Sequence, residues 1–435
     1  MSIYEEEYKA KLCTVQDVLD SLKDGDVIGT SQCANEPTAI FDQMHTLRGT
    51  GRRFKMYAPM CFKQHEFMTN PIYKDTFDMD ITFLMGPTRS GVSSGLFNYY
   101  PGDLHNGAPR WIQTNGCNVF IAAVTEMDKH GYFTIPLCLI HERDFLEAAD
   151  RVIFEVNPNL PHVYGDTAVH IHAVDMIVEA ESSVPILPRS TPSEKDMTIG
   201  NYVASLINDG DCIQLGIGGI PDAAAAALMS KHELGVHSEM LTNSMVDLVD
   251  AGVITGKKKT LFNGQMVGAF AYGDERLYEM LDYNPAVQLK RGGWVNDPAV
   301  IGQNDNFVSV NSCLSVDLTG QVCSESIGPV QYSGSGGAFD MAFGAAHSKG
   351  GRNIIAVAST KKHGTLSTIT PALELGSIVT IGRNELDYVV TEYGIAPMRG
   401  RSVREKMRNL IAVAHPDFRA ALKKAAEDIY RIQWL

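Results

Sequence analysis

The chain has 435 residues, of which 44% are hydrophobic and 20% are charged, a composition typical of a globular protein with two or three domains. Its formal net charge of −14 repels nucleic acid and anionic membranes, so we expect neither as a partner. The eight cysteines form no CxxC pair, and the thirteen histidines show no metal-ligand spacing. We therefore expect reduced cysteines in the core and no metal site.

We expect no signal for export or membrane insertion in this sequence. Glu5, Glu6 and Glu7 lie where a signal peptide would carry basic residues followed by an apolar segment. No apolar run approaches the roughly 18 residues of a membrane-spanning helix. We expect a cytoplasmic protein that forms a homodimer.

A short pattern near the start of the chain occurs a second time. Residues 24–28 read Asp-Gly-Asp-Val-Ile, and residues 209–213 read Asp-Gly-Asp-Cys-Ile. Each pattern follows a helical stretch and precedes a strand-like run and then a proline, Pro37 or Pro221. This similarity favours a tandem duplication, although so short a match leaves coincidence open.

The middle of the chain contains the best candidate for a linker. Residues 182–193 include three prolines and four serines and lack hydrophobic periodicity. The predicted domains are therefore residues 1–185 and 190–435. Short β-branched runs at 354–358, 378–381 and 388–390 predict buried strands between helices. The predicted fold class is α/β, with two related open sheets in tandem.

A glycine-rich turn after residue 215 is the strongest local signal. The strand-like residues 212–215 lead into Gly-Ile-Gly-Gly-Ile-Pro-Asp, and five alanines then predict a helix with Pro221 at its first position. Free amides at such a turn attract a phosphate or an oxyanion. A dinucleotide site, with Glu239 on a ribose, is disfavoured because Pro221 stands where the third glycine is needed. A turn without any ligand is the other alternative.

Three further segments combine polar residues with strand ends or turns. Residues 333–337 read Ser-Gly-Ser-Gly-Gly and precede a helix of small residues, so their amides are available to a ligand. Residues 361–364 read Lys-Lys-His-Gly and follow a predicted strand, where open α/β sheets bind ligands. Glu239 follows the short predicted strand 235–236, from which a carboxylate can project.

Six sequence blocks occur in an order that is typical of one family. They are Gly-Ile-Gly-Gly-Ile-Pro-Asp (216–222), Gly-Val-His-Ser-Glu-Met (235–240), Val-Asp-Leu-Thr-Gly-Gln-Val (316–322), Ser-Gly-Ser-Gly-Gly (333–337), Asp-Tyr-Val-Val-Thr-Glu-Tyr-Gly-Ile-Ala (387–396) and Ala-His-Pro-Asp-Phe (414–418). Together they resemble the acetyl-CoA hydrolase/transferase family, especially its 4-hydroxybutyrate and butyryl-CoA:acetate CoA-transferases.

The resemblance implies two related α/β domains with an active site in the cleft between them. It implies that Glu239 is the nucleophile and that amides at Gly218 and Gly337 stabilise the oxyanion. The residues that it places around CoA are Gly216, Ile217, Gly218, Gly219, Ile220, Asn311, Ser333, Gly337 and Lys362.

The implied reaction is transfer of CoA between short-chain carboxylates through a glutamyl-CoA thioester. CoA is then a substrate moiety, and no tightly bound cofactor is expected. The alternatives are a thioesterase that uses the same glutamate, a nicotinamide oxidoreductase, and a CoA-binding protein without turnover. Residues 242–244 (Thr-Asn-Ser) and Ala338 depart from the family pattern. Ser31, Gln32 and Asn35 face the acyl pocket by analogy, and their polarity predicts a hydroxy- or carboxy-substituted acid.

Overall fold

The computed structural model describes residues 3–432, which form two compact units. Unit 1 consists of Met1–Pro188, Glu239–Leu241 and Val267–Val295, and unit 2 of Arg189–Ser238, Thr242–Met266 and Asn296–Leu435. The division into residues 1–185 and 190–435 stays a prediction, since unit 1 also takes two short segments from later in the chain. None of the helices within residues 3–432 has both the length and the apolar character needed to cross a bilayer.

The α-helices of the described residues are α1 (Ile3–Lys11), α2 (Val15–Ser21), α3 (Thr38–Gln43), α4 (Glu66–Thr69), α5 (Arg89–Ser93), α6 (Gly107–Asn115), α7 (Glu142–Ala148), α8 (Glu194–Ser205), α9 (Gly219–Ala227), α10 (Asn243–Asp250), α11 (Glu275–Leu281), α12 (Gly292–Val295), α13 (Pro298–Ile301), α14 (Ala338–His347), α15 (Val403–Val413) and α16 (Pro416–Tyr430). The strands are β1 (Val27–Thr30), β2 (Phe54–Tyr57), β3 (Phe77–Ile81), β4 (Phe97–Tyr99), β5 (Val119–Val124), β6 (Tyr132–Thr134), β7 (Arg151–Val156), β8 (Ala168–His170), β9 (Met176–Glu179), β10 (Cys212–Leu215), β11 (Gly235–Leu241), β12 (Met266–Ala271), β13 (Val287–Leu289), β14 (Phe307–Asn311), β15 (Ser315–Asp317), β16 (Val322–Cys323), β17 (Ser326–Ile327), β18 (Val330–Gln331), β19 (Arg352–Ala356), β20 (Thr360–Lys361), β21 (Leu366–Ser367), β22 (Ile369–Thr370), β23 (Tyr388–Thr391) and β24 (Gly394–Pro397).

Unit 1 is built around a parallel sheet with the strand order β4-β3-β2-β1-β5-β7-β9. Strand β5, next to the central strand β1, is buried at all six positions, as expected of a strand covered on both faces. Aromatic side chains of β2 and β3, Phe54 and Phe77, stack with their ring centroids 5.7 Å apart within the core. The same unit contains part of a second sheet, which consists in order of β13, β12 and the Glu239–Leu241 part of β11.

Unit 2 contains the corresponding parallel strands of the second half. The Gly235–Ser238 part of β11 pairs with β10, and β14, β19 and β23 follow on the other side. The edge strand β24 is antiparallel to β23. Both halves thus place their first strand, β1 or β10, between the strand that follows it and a strand from later in the chain. The α/β class predicted from the sequence, with related parallel sheets, is confirmed.

The repeated Asp-Gly-Asp pattern has the same structural role in both halves. Asp26 precedes β1 and accepts a hydrogen bond from Arg151, the first residue of β7, at 2.6 Å. Asp211 precedes β10 and pairs in the same way with Arg352, the first residue of β19. All four side chains are largely buried, so removal of one partner would leave an uncompensated charge in the other. This shared ion pair supports duplication over coincidence.

Two helices fix the position of the glycine-rich turn. Helix α8 begins with a capping box in which Ser193 and Asp196 each accept a hydrogen bond from the other's backbone N–H. A Cβ at Gly200 on α8 would lie 2.5 Å from the carbonyl carbon of Ala223 on α9, so only glycine permits this close packing. The contact holds the N-terminus of α9 directly after β10.

One predicted strand is absent from the described residues. Strands β19 and β23 overlap the predictions at 354–358 and 388–390. At 378–381, however, only Ile381 forms an isolated bridge, with Val322. Ile378 and Val379 are 46% and 43% exposed, whereas Thr380 and Ile381 are buried, so only the end of this β-branched run enters the core and no strand forms there.

Candidate active site

The glycine-rich turn connects the buried strand β10 to helix α9. Gly218 is the N-cap of α9 with φ +110° and ψ 178°, a backbone conformation that residues other than glycine rarely adopt. The helix begins at Gly219, so the prediction that Pro221 occupies the first position is wrong; it is the third residue. A proline is still tolerated there, because the amides of the first turn have no intrahelical acceptor. Ile217 in the turn is 50% exposed.

Replacing Gly218 with alanine is expected to lower kcat/KM about tenfold to a hundredfold, because it perturbs an amide of the proposed oxyanion site. A non-glycine residue at this φ costs about 1–3 kcal/mol, and the backbone relieves that strain by rotating the amide. The control is Gly400→Ala, which has a positive φ of +68° and open space at its Cβ in the described chain, but lies in a turn after β24. Steady-state kinetics on both variants, with melting temperatures, separate the loss of catalysis from the loss of stability. Equal kinetic losses in both would contradict the role of Gly218.

Asn311 ends strand β14, beside the start of the glycine-rich turn. Its Nδ2 donates to the Oγ of Ser309 at 2.9 Å and to the Oε1 of Gln214 at 3.2 Å. The Ser309 hydroxyl also donates to Gln214 Oε1 at 3.0 Å. Gln214 on β10 lies opposite Ser309 on β14. The structure therefore brings Asn311 and the turn after Leu215 to the same edge of the sheet.

Gln214 and Ser309 were not predicted from the sequence as site residues, although their positions within core strands indicated such a role. Both are polar residues flanked by apolar residues of their strands, and both are at most 4% exposed. A buried polar side chain needs a partner, so its presence in a core strand indicates a network. The two side chains orient the amide of Asn311.

The second glycine cluster precedes helix α14. Gly337 is the N-cap of this helix, and Gly336 has φ +50°. The N–H of Ser333 donates to the carbonyl of Glu325 at 3.0 Å, so this amide is already occupied. Gly337 remains the better candidate for an oxyanion donor, because it stands at the N-terminus of a helix.

Lys362 lies in the turn between strands β20 and β21, with φ +49°, and is exposed. The sequence placed it directly after a buried strand, but β19 ends at Ala356, and the lysine follows a separate short strand. Its neighbour Lys361 donates to the carbonyl of Leu314 at 2.9 Å. The exposed position of Lys362 suits a contact with a phosphate of a bound nucleotide.

Glu392 is the other glutamate within a family-like block, and its carboxylate is bound by neighbouring residues of the protein. Its carboxylate accepts hydrogen bonds from the N–H and the hydroxyl of Ser359, both at 2.8 Å, and pairs with Lys195 at 3.3 Å. Burial opposes ionisation of Glu392, but the hydrogen bonds from Ser359 outweigh it, so the pKa of the carboxyl is lowered. These contacts make Glu392 a brace between β23 and the segment after β19.

Glu239 lies within strand β11, whereas the sequence predicted a position after a short strand. The other six residues of Gly235–Leu241 are buried, including His237 and Ser238 at 0% exposure, and Glu239 alone is partly exposed. Glu239 lies near Cys33 in unit 1. Burial raises the pKa of the Cys33 thiol, and the negative charges of nearby carboxylates, Glu239 among them, raise this pKa further. Glu239 is thus the one partly exposed residue of an otherwise buried strand.

The polar side chains after β1 form hydrogen bonds with backbone groups. Ser31 donates to the carbonyl of Asn35 at 2.6 Å and accepts from the N–H of Ala123 at 3.0 Å. Asn35 donates to the carbonyl of Ala123 at 2.8 Å, and Gln32 accepts from the N–H of Met60 at 3.0 Å. These bonds brace the loop, but Asn35 Oδ1 is buried without a hydrogen-bond partner among the described residues, and the polar acyl pocket stays a prediction.

Known proteins of similar sequence show where this chain belongs. Residues 1–188 match the acetyl-CoA hydrolase/transferase N-terminal domain, and residues 273–426 match the C-terminal domain of the same family. The 4-hydroxybutyrate coenzyme A transferase of Clostridium kluyveri is 40% identical over 96% of this chain and 98% of its own length. The chain belongs to the acetyl-CoA hydrolase/transferase family. The resemblance inferred from the sequence blocks is thereby confirmed, and its nearly full-length relatives at 35–40% identity identify the protein as an enzyme of the CoA-transferase type.

Other members differ in the acids named for them. The succinyl-CoA:cyclohexane-1-carboxylate CoA transferase of Geobacter metallireducens is 38% identical over 99% of this chain and 98% of its own length. The butyryl-CoA:acetate CoA-transferase of Anaerostipes caccae is 35% identical over 98% of this chain and 97% of its own length. Among solved structures, RipA from Yersinia pestis has a TM-score of 0.92 at 32% identity, covering 99% of this chain and 100% of that one.

Proposed function

We propose that the protein transfers CoA between short-chain carboxylates, of the butyrate, 4-hydroxybutyrate and acetate class, through a thioester on Glu239. The observation that carries the proposal is the partial exposure of Glu239 on a strand whose other residues are buried. A buried strand holds the nucleophile rigidly, while partial exposure lets a substrate reach it. Glu392, the competing carboxylate, is bound by Ser359 and Lys195.

In the first half-reaction, the Glu239 carboxylate attacks the carbonyl carbon of the acyl-CoA. The carbon–sulfur bond breaks, CoA leaves as a thiolate, and an acyl-glutamyl anhydride forms. The thiolate then attacks the glutamyl carbonyl and expels the acyl group as a free carboxylate. The second half-reaction repeats these steps in reverse with another acid, so no proton or redox equivalent is consumed.

Backbone amides are proposed to stabilise the tetrahedral oxyanions. Gly218 and Gly337 are both N-caps, where free N–H groups and the helix dipole favour negative charge. Loss of one such donor typically costs about 2.7–4 kcal/mol of transition-state stabilisation. For CoA itself we propose contacts with the turn at 216–220, Asn311, Lys362 and the side chain of Ser333, whose N–H is bound to Glu325.

The acyl group proposed here is a short-chain acid of the butyrate, 4-hydroxybutyrate and acetate class. The Ser31 hydroxyl and the Asn35 Nδ2 are bound to the backbone of Asn35 and Ala123, whereas Asn35 Oδ1 has no hydrogen-bond partner among the described residues. Cys33 lies among these residues and adds an apolar thiol. A cytoplasmic homodimer, expected from the sequence, remains part of the proposal.

A thioesterase is the second candidate, because the family description includes hydrolases. The two functions share the glutamyl-CoA thioester and differ in whether a carboxylate or water resolves it. We expect release of CoA from butyryl-CoA to depend on added acetate, because a transferase must keep water from the intermediate.

Initial rates measured over a matrix of butyryl-CoA and acetate concentrations should give parallel double-reciprocal lines. This pattern follows because the donor leaves before the acceptor binds. Intersecting lines would contradict the covalent intermediate, and acetate-independent release at the full rate would favour the thioesterase.

A further inference from the structure

Three ligand-type side chains of unit 1, distant from one another in sequence, lie together in the core. Glu36 follows β1, and Cys61 and His65 lie in the segment after β2. One oxygen, sulfur or nitrogen atom of each lies within 4.8 Å of the other two, and all three residues are buried. We call these residues the Glu36–Cys61–His65 cluster. The proposed CoA-transferase reaction makes no use of it.

The hydrogen bonding of His65 fixes what its ring presents to the cluster. Nδ1 lies 2.9 Å from Oδ1 of Asp42, and an ionised carboxylate only accepts hydrogen bonds, so Nδ1 carries the proton. In the neutral ring, Nε2 then offers a lone pair. This nitrogen is fully buried and has no hydrogen-bond partner among residues 3–432.

Nε2 faces another acceptor. Oε1 of Glu36 lies 3.7 Å from it, and both side chains are at most 1% exposed. The Glu36 carboxylate is held in place by the N–H groups of Phe62 and Lys63, each at 3.1 Å. A lone pair and a carboxylate oxygen that face each other in a buried site repel each other unless a cation or a proton lies between them.

The separation of these atoms fits a metal ion. Two nitrogen or oxygen ligands on a tetrahedral zinc ion lie about 3.4 Å apart, given metal–ligand bonds of about 2.0–2.2 Å. The nitrogen and oxygen of the cluster are at 3.7 Å, and the sulfur needs to approach by about 1 Å at most. Asp42 would then act on the metal through His65, since a carboxylate on the second ring nitrogen orients a histidine ligand and raises its basicity.

We propose that Glu36, Cys61 and His65 bind a divalent ion of the zinc class. Imidazole and thiolate together select zinc over magnesium and calcium, which prefer oxygen ligands alone. A thiolate and a carboxylate balance the two charges of the ion, so the loaded site is neutral. Burial and the Glu36 carboxylate hold the pKa of the Cys61 thiol well above its usual range, and the thiol proton is released to solvent on binding.

The ion would connect the segments that follow β1 and β2. These segments already touch, because the N–H of Cys33 donates to the carbonyl of Met60 at 2.7 Å, and Cys33 and Cys61 form an isolated parallel bridge. Since three protein ligands leave one tetrahedral position open, the fourth ligand is water or a bound carboxylate. Zinc binding is therefore expected to stabilise the folded protein.

Cobalt(II) titration of the full chain, freed of metal by a chelator, tests the site. We expect one equivalent to bind and to produce a thiolate-to-cobalt charge-transfer band in the near ultraviolet. Cys61→Ser should remove this band, whereas Cys117→Ser, at another buried cysteine of unit 1, should retain it. Asp42→Asn, at a side chain that is 44% exposed, should weaken binding about tenfold to a hundredfold and retain the band at saturation.

Stability provides a second readout that does not depend on activity. One equivalent of zinc should raise the melting temperature of the native protein and leave that of Cys61→Ser unchanged. Glu239→Ala should bind cobalt as the native chain does, so this test is separate from that of the transferase function. The proposal would be overturned if the native protein gave no saturable band, or if the band survived Cys61→Ser. A proton between His65 and Glu36 would then account for the geometry of the cluster.

Discussion

Replacement of Glu239 with alanine is expected to reduce CoA transfer at least about a hundredfold, which corresponds to about 2.7 kcal/mol of lost transition-state stabilisation. The variant removes the nucleophile and leaves the turn at 216–220, Asn311 and Lys362 unchanged. Because the CoA nucleotide is bound remotely from the reacting carbonyl, its affinity should change little. Rates of transfer from butyryl-CoA to acetate, together with calorimetric titration of CoA, measure the two effects separately.

Two further variants at this position distinguish chemistry from folding. Glu239→Gln keeps the shape of the side chain and removes its charge, so it should be as inactive as alanine with an unchanged melting temperature. Glu239→Asp retains a carboxylate but shortens its reach, and a displacement of about 1 Å can cost about a hundredfold in rate. Residual transfer above about one hundredth of the native rate in Glu239→Ala would contradict the assignment.

Glu392→Gln is the matched control within a second family-like block. It should weaken the contacts to Ser359 and Lys195 and thus lower stability, with much of the transfer rate retained. If Glu392→Gln lost all activity while Glu239→Gln kept it, the roles of the two glutamates would have to be exchanged.

The fold class was accessible from the sequence because its signals are local. The buried strand at β10, the glycine turn and the alanine-rich helix α9 follow one another within a few residues, and each has its own composition. The Asp-Gly-Asp repeat was visible for the same reason. Its cause, an ion pair with Arg151 or Arg352 more than a hundred residues away, required the structure.

The errors arose where burial decides the outcome. Residues 378–381 have the β-branched composition of a core strand, yet Ile378 and Val379 are substantially exposed. The role of Ser31 and Asn35 in an acyl pocket stays a prediction, because some of their polar atoms bind the backbone while Asn35 Oδ1 has no partner among the described residues. Composition does not reveal whether a polar group faces a ligand or another part of the chain.

The Glu36–Cys61–His65 cluster is a further feature that the sequence alone did not predict. Cys61 and His65 are four residues apart, a spacing that can support a shared ion, but a cysteine–histidine pair alone is weak. Glu36 joins them only because β1 and β2 are parallel neighbours, so the segments after them leave the same edge of the sheet. Tertiary structure therefore creates a candidate that the sequence-based expectation of no metal site did not include.

The glutamyl-CoA thioester is the central element of the proposed function, and it has a distinctive reactivity. Borohydride reduces a thioester to a primary alcohol and does not reduce a free carboxylate. We expect Glu239 to be converted to the alcohol only after incubation with butyryl-CoA in the absence of an acceptor acid. Glu239 in untreated protein should remain a carboxylate.

Borohydride trapping followed by mass analysis of the peptide that contains residues 234–245 therefore tests the proposal most directly. The account predicts near-complete modification of Glu239 with butyryl-CoA, and protection when acetate is added before the borohydride, because acetate accepts the CoA and regenerates the free carboxylate. A thioesterase would show a lesion that disappears with time without acetate. An unmodified Glu239, or modification at Glu392 in its place, would contradict the account.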